Sequence, residues 1–402
     1  MKDPAGKKER GVLIIVENLP VPFDRRVWME STTLRARGYR VSVICPTSNQ
    51  YNLPYEEIDG VHIYRHPLPP EVSSAAGYLR EYSVALWYQW RLAGRIRRKH
   101  GFDLIHACNP PDLIFLVALW FKVFHRKKFL FDHHDLCPEL YESKFERRGI
   151  FHRLLLIAEW CTFKLADTVI STNTSYREIA ITRGGKDPNR VHVVRSGPDL
   201  NRFRRVSPNP VYRQGRIFLV GYLGVMGEFD GVHHLVEAAH ELISNRHRND
   251  IQFCLIGSGP MLESLKNLAK ELQIEQNIEF TGRIPDEEMM ERLSTCDLGV
   301  DPDPLNPLND KSTMNKILEY MALEVPVVQY DLTEGRRSAA EASLYAEPNN
   351  VKELATCIET LLADPDRRRT MGMEGRRRME EKLEWSHQGP KLVLAYDSLF
   401  EH

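Results

Sequence analysis

The 402-residue chain has no long apolar run, no paired cysteines and almost no net charge. Its longest apolar stretch, 113–124, contains Lys122 and is too short to cross a bilayer as a helix. The seven cysteines (Cys45, Cys108, Cys137, Cys161, Cys254, Cys296 and Cys357) show no CxxC pair and no metal-ligand spacing, which excludes a zinc site of the usual pattern. An odd, scattered set of thiols fits a reducing, cytoplasmic compartment. A net charge of −1 argues against nucleic acid as a partner. The polar start MKDPAGKKER, followed by an apolar run of only strand length, is not shaped like a signal peptide. There is no low-complexity segment and no short-period repeat. What remains is an ordinary globular composition, 42% hydrophobic and 27% charged, long enough for two or three domains with large cores.

The stretch 306–330, NPLNDKSTMNKILEYMALEVPVVQY, organises the chain. It predicts a polar loop, a helix capped by Ser312 or Thr313, and a short parallel strand over Val325–Val328. Met314, Ile317, Leu318 and Met321 make the buried stripe. Ser312, Lys316 and Glu319 fall on another face, with Asn315 beside them. A helix start offers unpaired N–H groups and a positive dipole end to a phosphate. Lys316 adds a full charge. Glu319 sits too deep for phosphate but suits the two hydroxyls of a ribose. The competing reading is a capped amphipathic helix with solvated charges.

The first half reads as alternating strands and helices. Gly11–Val16 is a central strand, 17–26 (ENLPVPFDRR) a loop into a helix ending at Gly38, and Arg40–Cys45 the next strand. Asp24, Arg25 and Arg26 lie where such a unit lines its ligand crevice, or else they form a charged first helical turn. Val61–Tyr64 is a short strand. Gly77–His100 is a helix rich in aromatics (Tyr82, Trp87, Tyr88, Trp90, with Leu86) and in arginine towards its end. It reads either as a surface helix on an anionic membrane or as a core helix with cations at its C-terminus. Asp103–Ala107 and Lys128–Asp132 are further strands, the second followed by HHDLCPELYESKF. His133 or His134 can hydrogen-bond a sugar or carry a proton. Glu139 can bind an acceptor or act as a base. Adjacent residues on a strand point to opposite faces, so this triplet is not read as a metal site. Periodicity breaks at RSGPDLNRFRRVSPNP, which sets a boundary near 205–215.

A second series of strands and helices starts at Arg216. Glycine turns follow its strands: Gly221, Gly224, Gly227 and Gly231, then Gly257 and Gly259, then Gly282-Arg283-Ile284. None matches GxGxxG, yet all follow strands on one side of the expected sheet, where a single site can collect them. Asp301 and Asp303 resemble a metal-binding DxD pair, but the interleaved prolines favour a solvated loop. Val351–Ala363 and Pro365–Leu383 are helices. Trp385-Ser386-His387 interrupts the pattern before a last helix.

These segments, from DRRVWMExxxLRARGYRVSVI through HHD, GYLGVMGEFDGVHHLVEA, LIGSGP and FTGRIPDEEM to NKILEYMALEVPVV, resemble glycosyltransferase family 4 over nearly the whole chain. The resemblance implies an α/β GT-B fold: two Rossmann-like domains with parallel sheets facing a central cleft. The first, 1–205, would bind acceptor and the second, 206–384, the nucleotide sugar, with 385–402 a helix returning to the first. It further implies a retaining, metal-independent hexosyltransferase, with no cofactor beyond its nucleotide-diphosphate sugar donor. Glu319 matches the second glutamate of the family's E-x7-E pattern, which holds the ribose. The first falls at Lys311. The family's phosphate-binding arginine and lysine fall at Val225 and Asp230, so Lys316, helped by Lys311 or Arg283, is the expected substitute. His134 matches a histidine that contacts the donor sugar, and Gly257 and Gly259 match nucleotide-side glycines. These departures resemble a branch in bacterial surface-polysaccharide assembly.

The sequence is therefore read as a transferase moving a sugar to a glycan or lipid-linked acceptor, cytoplasmic and associated with the inner membrane face. His134 and Lys316 are its catalytic candidates. Gly224, Gly257, Gly259, Arg283, Ile284, Lys311, Ser312, Thr313, Asn315, Lys316 and Glu319 are the donor side, and Asp24, Arg25 and Glu139 the acceptor side. No metal is expected. The rival readings are a sugar-nucleotide epimerase on the same fold and a catalytically silent scaffold.

Overall fold

The computed structural model describes residues 9–67, 75–145 and 147–400, with the side chains of 75–82 left aside. The chain divides into two units, Met1–Arg195 with Gln388–His402, and Ser196–His387. The division falls ten residues before the position that the prolines suggested. Leu200 and Phe203 pack into a core of the second unit, so the apolar residues of the linker, not its prolines, decide its membership.

In the first unit the elements run β1 (Gly11–Ile15), α1 (Arg25–Ala36), β2 (Arg40–Pro46), β3 (Tyr55–Ile58), β4 (Val61–His66), α2 (Ala75–Lys99), β5 (Leu104–Cys108), α3 (Phe115–His125), β6 (Lys128–His133), α4 (Cys137–Phe145), α5 (Ile150–Leu165), β7 (Thr168–Ser171), α6 (Thr174–Thr182) and β8 (Val191–Val193). The sheet order is β3-β4-β2-β1-β5-β6-β7-β8. All its pairings are parallel except that of β3 with β4. β1 and β5 are buried throughout, as central strands covered on both faces must be. Inner residues of α2, α3 and α5 (Ala93, Val117, Phe121, Phe163) join one core with the strands. The aromatic face expected of α2 splits. Trp87 and Trp90 are exposed, whereas Tyr88 is half-buried against His66, rings 5.7 Å apart, and Leu86 packs on the core. The expected membrane role of Tyr82 lies outside the described side chains.

The second unit runs β9 (Phe218–Leu223), α7 (Val232–His240), β10 (Ile251–Ile256), α8 (Leu262–Glu271), β11 (Ile278–Gly282), α9 (Asp286–Thr295), β12 (Leu298–Asp301), α10 (Asn315–Ala322), β13 (Val327–Tyr330), α11 (Thr333–Ala339), β14 (Ser343–Ala346), α12 (Val351–Ala363) and α13 (Pro365–Arg378); α14 (Trp385–Phe400) follows, and from Gln388 on it belongs to the first unit. Its sheet is wholly parallel, in the order β11-β10-β9-β12-β13-β14. The order reverses between β9 and β12, the position at which sheets of this class open a crevice beyond their carboxyl ends.

Three local expectations need correction. α10 starts at Asn315 with Met314 at its cap position and no side-chain cap, because the Ser312 hydroxyl donates to the Leu308 carbonyl at 2.9 Å. The next strand begins at Val327, not Val325, since the Val325 N–H closes the end of α10 on the Tyr320 carbonyl. Ser386 and His387 do not interrupt the last helix but form its first turn. α13 is capped by Asp364, with Pro365 in its first turn, and gives way to a π-turn over 379–383.

Candidate functional site

In the second unit the turns after β9, β10 and β11 are laced together. Gly224 N–H donates to the Ile256 carbonyl, Met226 N–H to Ser258 and Gly257 N–H to Gly282, at 3.0, 3.1 and 3.0 Å. Glycine is required here by the chain itself. Gly257 has φ +135°, and a Cβ on it would lie 1.8 Å from the Gly224 carbonyl oxygen. A Cβ on Gly259 would lie 2.5 Å from that of Met226. The close approach read from the sequence as room for phosphate is thus first an approach of one turn to the next. Replacing Gly257 by alanine is expected to cost about 2–4 kcal/mol, the sum of backbone strain and overpacking. Urea unfolding followed by circular dichroism checks it, and an unchanged midpoint would contradict the packing described.

Lys316 faces these turns, its Cε 3.2 Å from where a Gly224 Cβ would be. It is buried, and its ammonium donates to Asp301 at 3.1 Å and to Asp303 at 2.6 Å, above the ring of Tyr222 at 5.3 Å. Burial alone would lower its pKa, but Asp301 and Asp303 outweigh burial and hold it well above the usual value. Burial, with Asp301 next to it, raises Asp303 well above the usual carboxylate range. Two expectations change as a result. The DxD pair is not a solvated loop, and the Lys316 charge is not held out for a phosphate: one satisfies the other inside the protein. Lys316 pins the first turn of α10 to the end of β12. Of the other donor-side residues named from the sequence, Asn315 and Arg283 are exposed, and Ile284, Lys311, Ser312, Thr313 and Glu319 are half-buried. Asp230 accepts from the Gly227 N–H at 2.9 Å and so holds the first glycine turn closed.

The first unit carries a second polar centre. Asp132 lies in β6 and His134 just past its end, and the two side chains bond each other, while His133, the last strand residue, packs elsewhere. Asp132 takes both arms of Arg26, at 2.9 and 3.1 Å. It also bonds the Nε2 of His134 and lies 3.4 Å from that of His106. Arg26 in turn reaches the Val194 carbonyl at 2.8 Å, His134 at 2.9 Å and Glu30 at 3.2 Å. His106 continues to the Tyr396 hydroxyl of α14 at 2.6 Å. Burial would raise the Asp132 pKa, yet Arg26 and His134 hold it well below the ordinary range. Burial and Asp132 push Glu30 well above. Asn109 accepts the backbone N–H of His134 at 2.8 Å, which fixes the turn carrying the ring. Glu30, Asp132 and His134 lie at metal-ligand spacing, as do His106, Cys108 and Asp132, but the Arg26 guanidinium already supplies the positive charge there.

Other first-unit candidates are used differently from what the sequence implied. Asp24 caps α1 by accepting from Val27 N–H at 3.1 Å, and Arg25 is exposed beside it. Glu139 is buried and bonded by both arms of Arg183, at 2.7 and 3.1 Å, which commits its carboxylate and removes it as a base. His133 packs between the rings of Phe163 and Tyr176, 5.1 and 5.0 Å away. Burial and Arg183 lower its pKa to about 3, which favours the neutral ring. Sequence reasoning missed Asp132, Glu30, His106, Tyr396 and Arg183. The one available signal was a charged residue two places before His134 in an otherwise apolar strand.

Residues 24–202 match the model of Glycosyltransferase Family 4, and residues 212–378 that of Glycosyl transferases group 1. The alpha-maltose-1-phosphate synthase of Mycolicibacterium smegmatis is 29% identical over 65% of this chain and 71% of its own length. A GDP-mannose-dependent phosphatidylinositol monomannoside mannosyltransferase of Corynebacterium glutamicum is 29% identical over 40% of this chain, a stretch that spans only 42% of that enzyme. Among solved structures, the sucrose-phosphate synthase of Thermosynechococcus elongatus superposes with a TM-score of 0.81 at 20% identity, covering 98% of this chain and 99% of that one. Anabaena Alr3699/HepE, solved with UDP-glucose, gives 0.71 at 18% identity, over 96% of this chain and 99% of that one. The fold is GT-B.

Proposed function

We infer the reaction from the family: this chain belongs to the glycosyltransferases, with a family 4 first unit and a group 1 second unit, and it moves a sugar from a nucleotide-diphosphate sugar to a glycan or lipid-linked acceptor. The transfer proceeds with retention, without a metal ion, in surface-polysaccharide assembly. One observation carries the donor assignment. The glycine turns after β9, β10 and β11 are laced together at the carboxyl ends of adjacent strands, beside the point where the strand order reverses, and Gly224 of the first turn meets Lys316 in the first turn of α10. The UDP-glucose held by the Anabaena protein of the same fold supports it.

In this reading the N–H groups opening α10, with Lys311 and Arg283, take the diphosphate and stabilise the charge that develops as it leaves. Ser312, Thr313 and Asn315 line the approach. Glu319 accepts the ribose hydroxyls. Lys316, committed to Asp301 and Asp303, is a positioning residue that fixes the helix start and does not touch the phosphate. In the first unit His134, oriented by Asp132 and Arg26, hydrogen-bonds a sugar hydroxyl. The acceptor oxygen bonds to the anomeric carbon as the carbon–phosphate oxygen bond breaks, and the acceptor's proton passes to the departing phosphate.

Glu319→Ala is expected to weaken nucleotide binding by roughly 10–100-fold, the loss of charged hydrogen bonds, with the melting temperature unchanged. Isothermal titration with UDP, GDP and ADP in turn measures it. Unchanged affinity for whichever nucleotide binds would sink the cradle. The epimerase and scaffold readings have no observation of their own here, since both family models are of transferases. Incubating a donor without acceptor and looking for its epimer tests the first of them.

A further inference from the structure

One face of the first unit is apolar on the outside. α3 buries Val117, Ala118 and Phe121 and leaves Leu116, Leu119, Trp120, Val123 and Phe124 exposed, the last two at 60% and 62%. That spacing is a second, outward stripe on a helix that already has its inward one. α5 repeats the pattern with Phe151, Leu154, Ile157 and Trp160 exposed and Ala158, Thr162 and Phe163 inside. The two helices are tied by the Lys122 ammonium on the Leu165 carbonyl at 2.8 Å. The stripe continues onto α2, where Trp90 meets Trp120 with ring centres 5.9 Å apart. A contiguous apolar face on this scale marks a contact surface.

Its charges name the partner. Ser83–Lys99 and Phe115–His125 contain no aspartate or glutamate. Ile150–Leu165 contains one, Glu159, which is buried and bonded to Arg183 at 2.6 Å. Among the described residues the exposed charges on these three helices are cationic: Arg91 lies over Trp87 at 5.3 Å and Lys164 over Trp160 at 5.8 Å. Long cationic side chains lying along aromatic rings, around aliphatic side chains that face outward, suit a headgroup layer over hydrocarbon. A second copy of this chain would bring the same cations face to face, which costs energy. Among the described residues no helix is long and apolar enough to cross a membrane. We propose that the outer face of α2, α3 and α5 docks the chain on the surface of an anionic lipid bilayer, with α3 and α5, not α2 alone, supplying the inserted side chains. An inactive scaffold would dock the same way, so the inference stands apart from the transfer chemistry.

Flotation of the full chain with phosphatidylcholine vesicles, with and without phosphatidylglycerol, tests it. The chain is expected to float with the anionic vesicles and to be released as salt rises. The variant Phe124→Ser/Leu154→Ser/Ile157→Ser should bind them about tenfold more weakly or worse, with its circular dichroism unchanged. Arg91→Glu/Lys164→Glu should lose the preference for anionic vesicles. The proposal is overturned if the wild type stays unbound with both vesicles, if both variants float like the wild type, or if the apolar variant turns a dimer into a monomer without altering flotation.

Discussion

Replacing Lys316 by methionine should lower the stability of the second unit by about 3–5 kcal/mol, because a buried cation is removed and its carboxylate partners stay behind. The methionine fills much the same space, so cavity formation contributes little. What is lost is the counter-charge to Asp301 and the hydrogen-bond donor to Asp303, which burial and Asp301 push towards its neutral form, both acids being nearly inaccessible to water. For a unit of this size the melting temperature should fall by on the order of 10 °C, read by differential scanning calorimetry. The raised pKa of Lys316 gives a second signature. The stability it contributes is complete below its ordinary value of 10.5 and is lost only as pH climbs above that, so the wild type should weaken in strong alkali and the variant should not show that limb. Adding Asp303→Asn to Lys316→Met should recover part of the loss, since one stranded acid is then gone. A melting temperature within about a degree of wild type would mean that the ammonium is not the partner of these acids, and its role as a phosphate cation would return.

This cluster also shows where the sequence stops being legible. The spacing of Met314, Ile317, Leu318 and Met321 predicted the buried side of α10 from periodicity alone, and the structure buries the last three while Met314, at the cap, is half-buried. The run GVLII announced a central strand in the same way. Such patterns are local and repeat within a few residues. The partner of Lys316 could not be read, because Asp301 and Asp303 lie 15 and 13 residues earlier across a polar loop. Proline interleaving suggested solvent, whereas the sheet brings this loop under α10. Glu139 failed for the same reason: its neutralising arginine lies 44 residues on. The antiparallel edge strand Tyr55–Ile58 was missed because its burial alternates weakly and half of it is exposed. The glycine turns at Gly224, Gly257 and Gly282 were located correctly, but Gly221 lies inside β9 against Cys296, and only the fold shows that the turns' neighbours are one another.

The second large effect is expected at Arg26. Arg26→Met removes one guanidinium that serves Asp132, Glu30, His134 and the Val194 carbonyl together. Glu30 adapts most readily, since burial and Asp132 already favour its neutral form. Asp132 cannot, because it holds its charge through Arg26 and is fully buried. The cost should again be about 3–5 kcal/mol, but it should appear in the melting of the first unit, whereas Lys316→Met acts on the second. Calorimetric traces of the two variants should therefore differ in which part of the transition moves. The acid side gives the sign. A carboxylate held below its ordinary value of 3.8 adds stability that is present above that pH and lost as pH falls through its lowered value. Wild type should show this loss in acid, and Arg26→Met should show it weakly or not at all. Arg26→Lys should not restore the wild-type melting temperature, because one ammonium cannot make the paired bonds to Asp132 and also reach Val194 and His134. Loss of His134 orientation should lower turnover more than nucleotide affinity, since the nucleotide is assigned to the other unit. If Arg26→Met melts like wild type at neutral pH and in acid, Asp132 draws its charge stabilisation from the histidines and Arg26 is dispensable.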